Sequence, residues 1–188
     1  DTPLENALED YRVCLEKVYP YADYVVINIS SPNTPGLRQL QSQDYLDDLL
    51  RQMNKTRQQF SKSIPIFVKI SPDLSPDQLQ HLVNSVLQHQ LDGIIATNTT
   101  IHRESVKGDP KSSELGGLSG HPLYPQSKSI IQACIKQVSG QIPVVAVGGI
   151  DSTIRAKELL LSGASALQIY TGFIYGAPKI IKNIIKCL

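Results

Sequence analysis

The run Asn28-Ile29-Ser30-Ser31-Pro32-Asn33-Thr34-Pro35-Gly36-Leu37-Arg38 places small polar side chains at the end of an apolar stretch and stiffens them with two prolines. Asn28 and Asn33 each offer amide donors and a carbonyl acceptor, a combination suited to a planar, polar ligand. Ser31 has no Gly-x-Ser-x-Gly elbow and no recognisable His-Asp partner, which argues against acyl transfer. The competing reading is an ordered turn in which Ser and Asn bond the backbone. Four further apolar runs end in polar or glycine tips: Lys69, Thr97-Asn98-Thr99, Gly148-Gly149 and Tyr170-Thr171-Gly172. Glycines before a helix start, with a hydroxyl nearby, suit a phosphate, and no P-loop or Gly-x-Gly-x-x-Gly competes for that role. A mononucleotide or a sugar phosphate is the expected ligand. His81, His89, His102 and His121 form no His-Glu-x-x-His pattern, and no metal site is expected.

These tips need elements to hold them. Tyr24 to Ile29, Ile64 to Ile70, Leu91 to Asn98, Ile142 to Val147 and Ala166 to Tyr170 are short, β-branched and apolar, as strands covered on both faces should be. Between them lie helical stripes. Leu4, Leu8, Tyr11, Leu15 and Val18 are spaced 4, 3, 4 and 3, and Thr2-Pro3-Leu4-Glu5 reads as a capping box ahead of them. Helix 43 to 60 carries Leu46, Leu49, Leu50 and Met53, and Ser75-Pro76-Asp77-Gln78 opens a helix striped at Leu79, Leu82, Val83, Val86 and Leu87. A further helix is marked by Ile130, Ile131, Cys134, Ile135 and Val138. Asp151 is expected to cap the next, and Pro178 to start a last one with Ile180, Ile181, Ile184 and Ile185 on one face.

Six helices alternating with five strands predict an α/β fold with a parallel sheet. Two architectures fit: a five-stranded doubly wound sheet, or part of a (β/α)8 barrel, which as a whole takes about 250 residues. In either, the carboxyl ends of the strands hold the ligand.

The chain has 188 residues, 18 Lys and Arg against 17 Asp and Glu, a net charge of +1 and 41% hydrophobic residues. That composition suits one globular domain and excludes disorder, a basic nucleic-acid surface and an acidic tail. The opening residues lack the regions of a signal peptide and no apolar run has the length of a membrane helix, so the chain as it stands is expected to be soluble. Cys14, Cys134 and Cys187 lie more than 50 residues apart, with no Cys-x-x-Cys pair, and read as reduced structural thiols.

Six motifs in order resemble the class 2 dihydroorotate dehydrogenases: residues 28 to 38 above, Val68-Lys69-Ile70-Ser71-Pro72-Asp73-Leu74, Asp92 to Thr100, Gly116-Gly117-Leu118-Ser119-Gly120, Val147-Gly148-Gly149-Ile150 and Gln168-Ile169-Tyr170-Thr171-Gly172-Phe173. The resemblance covers essentially the whole chain. It implies a (β/α)8 TIM barrel of which the chain supplies roughly strands 4 to 8. On that reading, residues 1–188 are the C-terminal part of a single FMN-binding catalytic domain. The implied activity is oxidation of dihydroorotate to orotate in pyrimidine synthesis, with FMN as cofactor and a quinone as electron acceptor.

Carried over by position, the resemblance implies that Ser31 is the base removing the C5 proton of dihydroorotate while C6 gives hydride to flavin N5. Thr34 or a water relay would take the proton onward. Asn28, Asn33, Asn98 and Thr99 would grip the substrate. Asn28, Lys69, Thr97, Gly120, Gly149, Tyr170 and Thr171 would form the FMN site, with Lys69 beside the ring and the glycines and Thr171 near the phosphate. Residues 34 to 38 would be part of a lid. His121 departs from the arginine or lysine that relatives usually carry after Leu-Ser-Gly. The family's N-terminal region, with its membrane-associating helices and first strands, has no counterpart here. The resemblance therefore implies membrane association of the full-length parent, at a bacterial cytoplasmic or mitochondrial inner membrane, and inactivity of these residues alone. The rival readings are a different phosphate-binding barrel enzyme and a non-catalytic half-barrel.

Overall fold

The computed structural model describes residues 2–187. Five strands, β1 (Val25–Asn28), β2 (Ile66–Ile70), β3 (Gly93–Ala96), β4 (Val144–Val147) and β5 (Ala166–Gln168), form one sheet in the order β1-β2-β3-β4-β5, and every pairing is parallel. Six helices alternate with them: α1 (Ala7–Val18), α2 (Gln43–Arg57), α3 (Pro76–Gln88), α4 (Tyr124–Val138), α5 (Thr153–Leu161) and α6 (Thr171–Cys187). A doubly wound sheet reverses its strand order at a switch point, whereas here each new strand pairs with the one before it. The unbroken order is that of consecutive barrel strands, which resolves the ambiguity left by periodicity.

The two faces of the sheet pack differently. In β2, Ile66, Val68 and Ile70 are fully buried, while Phe67 and Lys69 on the alternate face are half-buried. The first set joins the helix-facing core with Leu46, Leu49, Leu79, Leu82, Val83 and Ile131. Lys69 lines the principal cavity, so its face is the concave one. On the concave side Val145 and Val147 of β4 are also half-buried, whereas β3 is buried on both faces as expected.

The helix caps form at Ser75 but not at Thr2 or Asp151. At Ser75 both arms of the capping box form: the hydroxyl accepts from the Gln78 amide at 3.2 Å, and the Gln78 side chain accepts from the Ser75 amide at 2.9 Å. Ser75→Ala is accordingly expected to cost about 1 kcal/mol, read as a lower midpoint in thermal unfolding. The Thr2 box does not form. Pro3 is extended (ψ 150°) and precedes a 3-10 turn, Leu4–Asn6, while the Thr2 hydroxyl donates to Asp10 at 3.0 Å. Asp151 is not the cap of α5 either; Ser152 is, accepting from the Arg155 amide at 3.3 Å. The last helix begins before Pro178, because residues 171–176 already form a helical turn that breaks at Ala177 (φ 49°). On it Ile180 and Ile184 are buried, whereas Ile181 and Ile185 are exposed. Of the three cysteines, all free thiols, Cys134 alone is buried, and burial pushes its pKa up to about 12.

Candidate active site

Strand register gathers the polar tips. Asn28 pairs with Lys69, Lys69 with Ile95, Ala96 with Ala146, and Val147 with Gln168, so the residues that follow each strand emerge on one rim. A cavity of about 530 Å³ opens there. Its wall includes Lys69, Thr97, Asn98, Thr99, Gly120, Gly149, Tyr170 and Thr171, all eight expected from the sequence. Tyr24, Ser119 and Gln168 join them without having been singled out, although the last two sit inside motifs that were.

Two asparagines interlock beside the near end, Asn98 in the cavity wall and Asn28 lining the groove between α1 and β1. Asn98 Nδ2 donates to Asn28 Oδ1 and to Ser30 Oγ, both at 3.2 Å, and Asn98 Oδ1 accepts from the Thr99 amide at 2.8 Å. This fixes which way each amide points. Asn28 Nδ2 and the Lys69 ammonium meet no protein acceptor among the described residues, which leaves both donors to a ligand or water. Burial lowers the Lys69 pKa below the ordinary lysine value, as a partly desolvated cation requires.

The far end is a pinch of glycines. Gly149 has φ +69°, and a Cβ there would lie 2.7 Å from Tyr124 N and 2.8 Å from Gly120 O. Gly120 has φ +74°, with Thr171 Cγ2 at 3.0 Å from its would-be Cβ. The Thr171 hydroxyl donates to Ser119 Oγ at 3.0 Å and ties the long loop before α4 to the tip of β5. Only glycine allows three segments to approach so closely with these dihedrals. The amides of Gly120, Gly149, Ile150 and Gly172 have no protein acceptor among the described residues, whereas those of Phe173 and Ile174 in the first turn of α6 donate to the Tyr170 carbonyl at 3.0 and 3.1 Å. A cluster of donors without acceptors is what an anion needs.

Ser31 and Asn33 lie beside the cavity wall rather than in it. The Ser31 hydroxyl accepts from the Asn33 amide at 3.2 Å, the ordered turn of the simpler reading, and Asn33 Oδ1 accepts from the Gly117 amide at 3.2 Å. Pro32 and Thr99 close on Gly117, where a Cβ would meet Thr99 Oγ1 at 1.8 Å. The Ser31 turn is thereby clamped against the segment that carries Thr99. Thr34 lines a separate groove between α1 and β1.

Sequence reasoning missed the hub that fixes this loop. Arg38 Nη1 pairs with Asp73 at 2.6 Å, while its Nε and Nη2 donate to the carbonyls of Ser30 (3.1 Å) and Thr99 (2.8 Å). Asp73 also accepts from the Thr100 hydroxyl (2.5 Å), the Ile101 amide (3.1 Å) and Gln126 Nε2 (2.8 Å). Burial alone would raise the Asp73 pKa, but these donors and the Arg38 charge hold it below the usual carboxylate value. Residues 34–38 are therefore anchored at Arg38, with Gly36 (φ 75°) as their left-handed turn.

Comparison with known proteins agrees with this geometry. The family model described as dihydroorotate dehydrogenase matches residues 4–188. Two relatives named dihydroorotate dehydrogenase (quinone), from Psychromonas ingrahamii and Vibrio cholerae, are 50% and 49% identical over 98% and 100% of this chain. The chain spans 56% and 57% of their lengths. The crystal structure of DHODH from Eimeria tenella in complex with ferulenol matches the whole chain with a TM-score of 0.92 at 35% identity, the chain covering 55% of that structure. With a matching family model, close relatives and an unbroken run of parallel strands in common, the chain belongs to the dihydroorotate dehydrogenase family and provides consecutive strands of its (β/α)8 barrel.

Proposed function

We propose that the protein carrying these residues oxidises dihydroorotate to orotate in pyrimidine synthesis, with FMN as its flavin and a quinone as electron acceptor. Family membership implies a flavin; the choice of FMN rests on the cavity. Unpartnered amides and glycines at one end suit a single terminal phosphate, and the half-buried Lys69 at the other suits a polar ring. That pairing of anion donors with a desolvated cation across one cavity is the observation that carries the reading. Residues 1–188 would then be the C-terminal part of one FMN-binding catalytic domain. No helix among the described residues is long and apolar enough to cross a membrane, and we assign membrane association and quinone access to the parent's N-terminal region.

A flavin held in this cavity would supply a hydride acceptor, with a quinone as the final electron acceptor. The protein's own residues do the rest. Gly120, Gly149 and Thr171 hold the phosphate, Thr97 and Tyr170 flank the cofactor, and Asn28 donates toward it. Lys69 sets positive charge beside the ring, and partial desolvation strengthens its effect. Asn28, Asn33, Asn98 and Thr99 would orient the pyrimidine, Asn28 and Asn33 through side-chain N–H groups that have no protein acceptor among the described residues. Ser31 would take the C5 proton while handing its own hydroxyl proton to a water relay, as hydride leaves C6 for the flavin, and it needs a pocket closed to bulk water to act as a base.

The test is anaerobic absorbance spectroscopy of the full-length protein. The reading predicts a yellow flavin band that dihydroorotate bleaches and a quinone restores. Protein that takes up no FMN, or flavin that dihydroorotate leaves unchanged, would refute it in favour of a different barrel enzyme or a non-catalytic fold.

A further inference from the structure

The glycine pinch has a brace outside the cavity. Arg155, on the first turn of α5, donates from Nη1 to Gly149 O at 2.9 Å and to Asp151 Oδ2 at 3.0 Å, and from Nη2 to His121 Nε2 at 3.1 Å. The same Asp151 oxygen accepts from His121 Nδ1 at 2.7 Å, closing a three-membered ring of side chains. Asp151 accepts and Arg155 donates, so the arrangement suits the His121 tautomer with its hydrogen on Nδ1 and a lone pair on Nε2. Arg155 also stacks over the Tyr124 ring, 4.3 Å from its centre, and is only 17% exposed, so the guanidinium has little freedom to leave.

Gly149 O belongs to the peptide that carries the Ile150 amide. In a planar trans peptide the C=O and the following N–H point in opposite directions. Holding the Gly149 carbonyl toward α5 therefore sets the direction of the Ile150 N–H. Ile150 lines the cavity, is 3% exposed, and its amide has no protein acceptor among the described residues. A buried amide so fixed and left without a partner is built for a ligand. Glycine at 148 and 149 makes this turn permissive, so its backbone needs an outside restraint to stay in one arrangement.

We propose that Arg155, braced by Asp151 and His121, is a positioning residue that preorganises the Gly149–Ile150 peptide for the cofactor's phosphate. It acts through the backbone and touches no ligand itself. The inference rests on reading the cavity as an FMN site. It predicts a signature confined to the phosphate: the brace matters for FMN and not for riboflavin, which has the same ring and no phosphate.

The experiment measures FMN and riboflavin affinity of the full-length apoprotein by quenching of flavin fluorescence, with unfolding monitored alongside. Arg155→Ala is expected to weaken FMN about tenfold or more while riboflavin changes less than about twofold. His121 is 74% exposed on its side chain, so His121→Ala carries little folding risk and is expected to weaken FMN alone by a smaller factor. Equal losses for both flavins in His121→Ala, or no loss of FMN affinity in either variant, would overturn the positioning role. Wild-type protein that holds riboflavin as tightly as FMN would instead refute the phosphate reading of the cavity, and the inference with it.

Discussion

Ser31→Ala in the full-length protein is expected to slow reduction of the bound flavin by dihydroorotate by about 10²- to 10⁴-fold, the usual contribution of a positioned general base. Flavin absorbance and dihydroorotate affinity should stay near wild type, because the residues assigned to grip both ligands are untouched. The Ser31 hydroxyl accepts one hydrogen bond, from the Asn33 amide at 3.2 Å, so its loss should cost only about 1 kcal/mol of stability. Rapid mixing under anaerobic conditions reads the step directly. Unaltered reduction would remove Ser31 from the mechanism. Ser31→Cys, with a thiol in place of the hydroxyl, is expected to retain an intermediate rate.

Arg38→Ala should be the most damaging of the substitutions to stability. Arg38 and Asp73 are 22% and 9% exposed on their side chains, and one guanidinium holds the Ser30 and Thr99 carbonyls as well as the carboxylate. Removing it leaves a mostly buried anion short of its cation, which costs about 3 kcal/mol or more. The exposed pair Arg51–Asp48 is the control, since breaking it should cost less than about 1 kcal/mol. Denaturant unfolding of the two variants checks the contrast. The sign of the pH effect follows from Asp73, whose folded pKa lies below its ordinary 3.8. Its stabilisation is complete above that ordinary value and is lost as pH falls through the lower folded one. Asp73→Asn should flatten that acid limb. Arg38→Ala should also loosen the Ser31 turn and slow flavin reduction.

Individual elements were legible because each strand and helix carries its own period. Ile66 to Ile70 and the Leu79, Leu82, Val83, Val86 stripe needed no partner to be recognised. Strand order was not, since a β/α repeat reads alike in a doubly wound sheet and in a barrel; only the pairing of each strand with its predecessor separates them. The half-buried state of Phe67 and Lys69 was invisible for the same reason: apolarity does not say which face of a strand is concave. Most cavity residues were legible because parallel sheets present strand carboxyl ends to ligand, so a polar residue after an apolar run has few other roles. The Arg38–Asp73 hub joins residues 35 positions apart, and His121 meets Asp151 across 30, separations that leave no local period to read. Asp151 failed as a cap because Arg155 and His121 already hold its carboxylate.

A crystal structure of the full-length protein with FMN and orotate bound tests the central claim most directly. The account predicts the flavin phosphate against Gly120, Gly149 and Thr171, the ring beside Lys69, and orotate among Asn28, Asn33, Asn98 and Thr99 with the Ser31 hydroxyl facing its C5. A flavin bound elsewhere, or a Ser31 hydroxyl turned away from orotate, would contradict it.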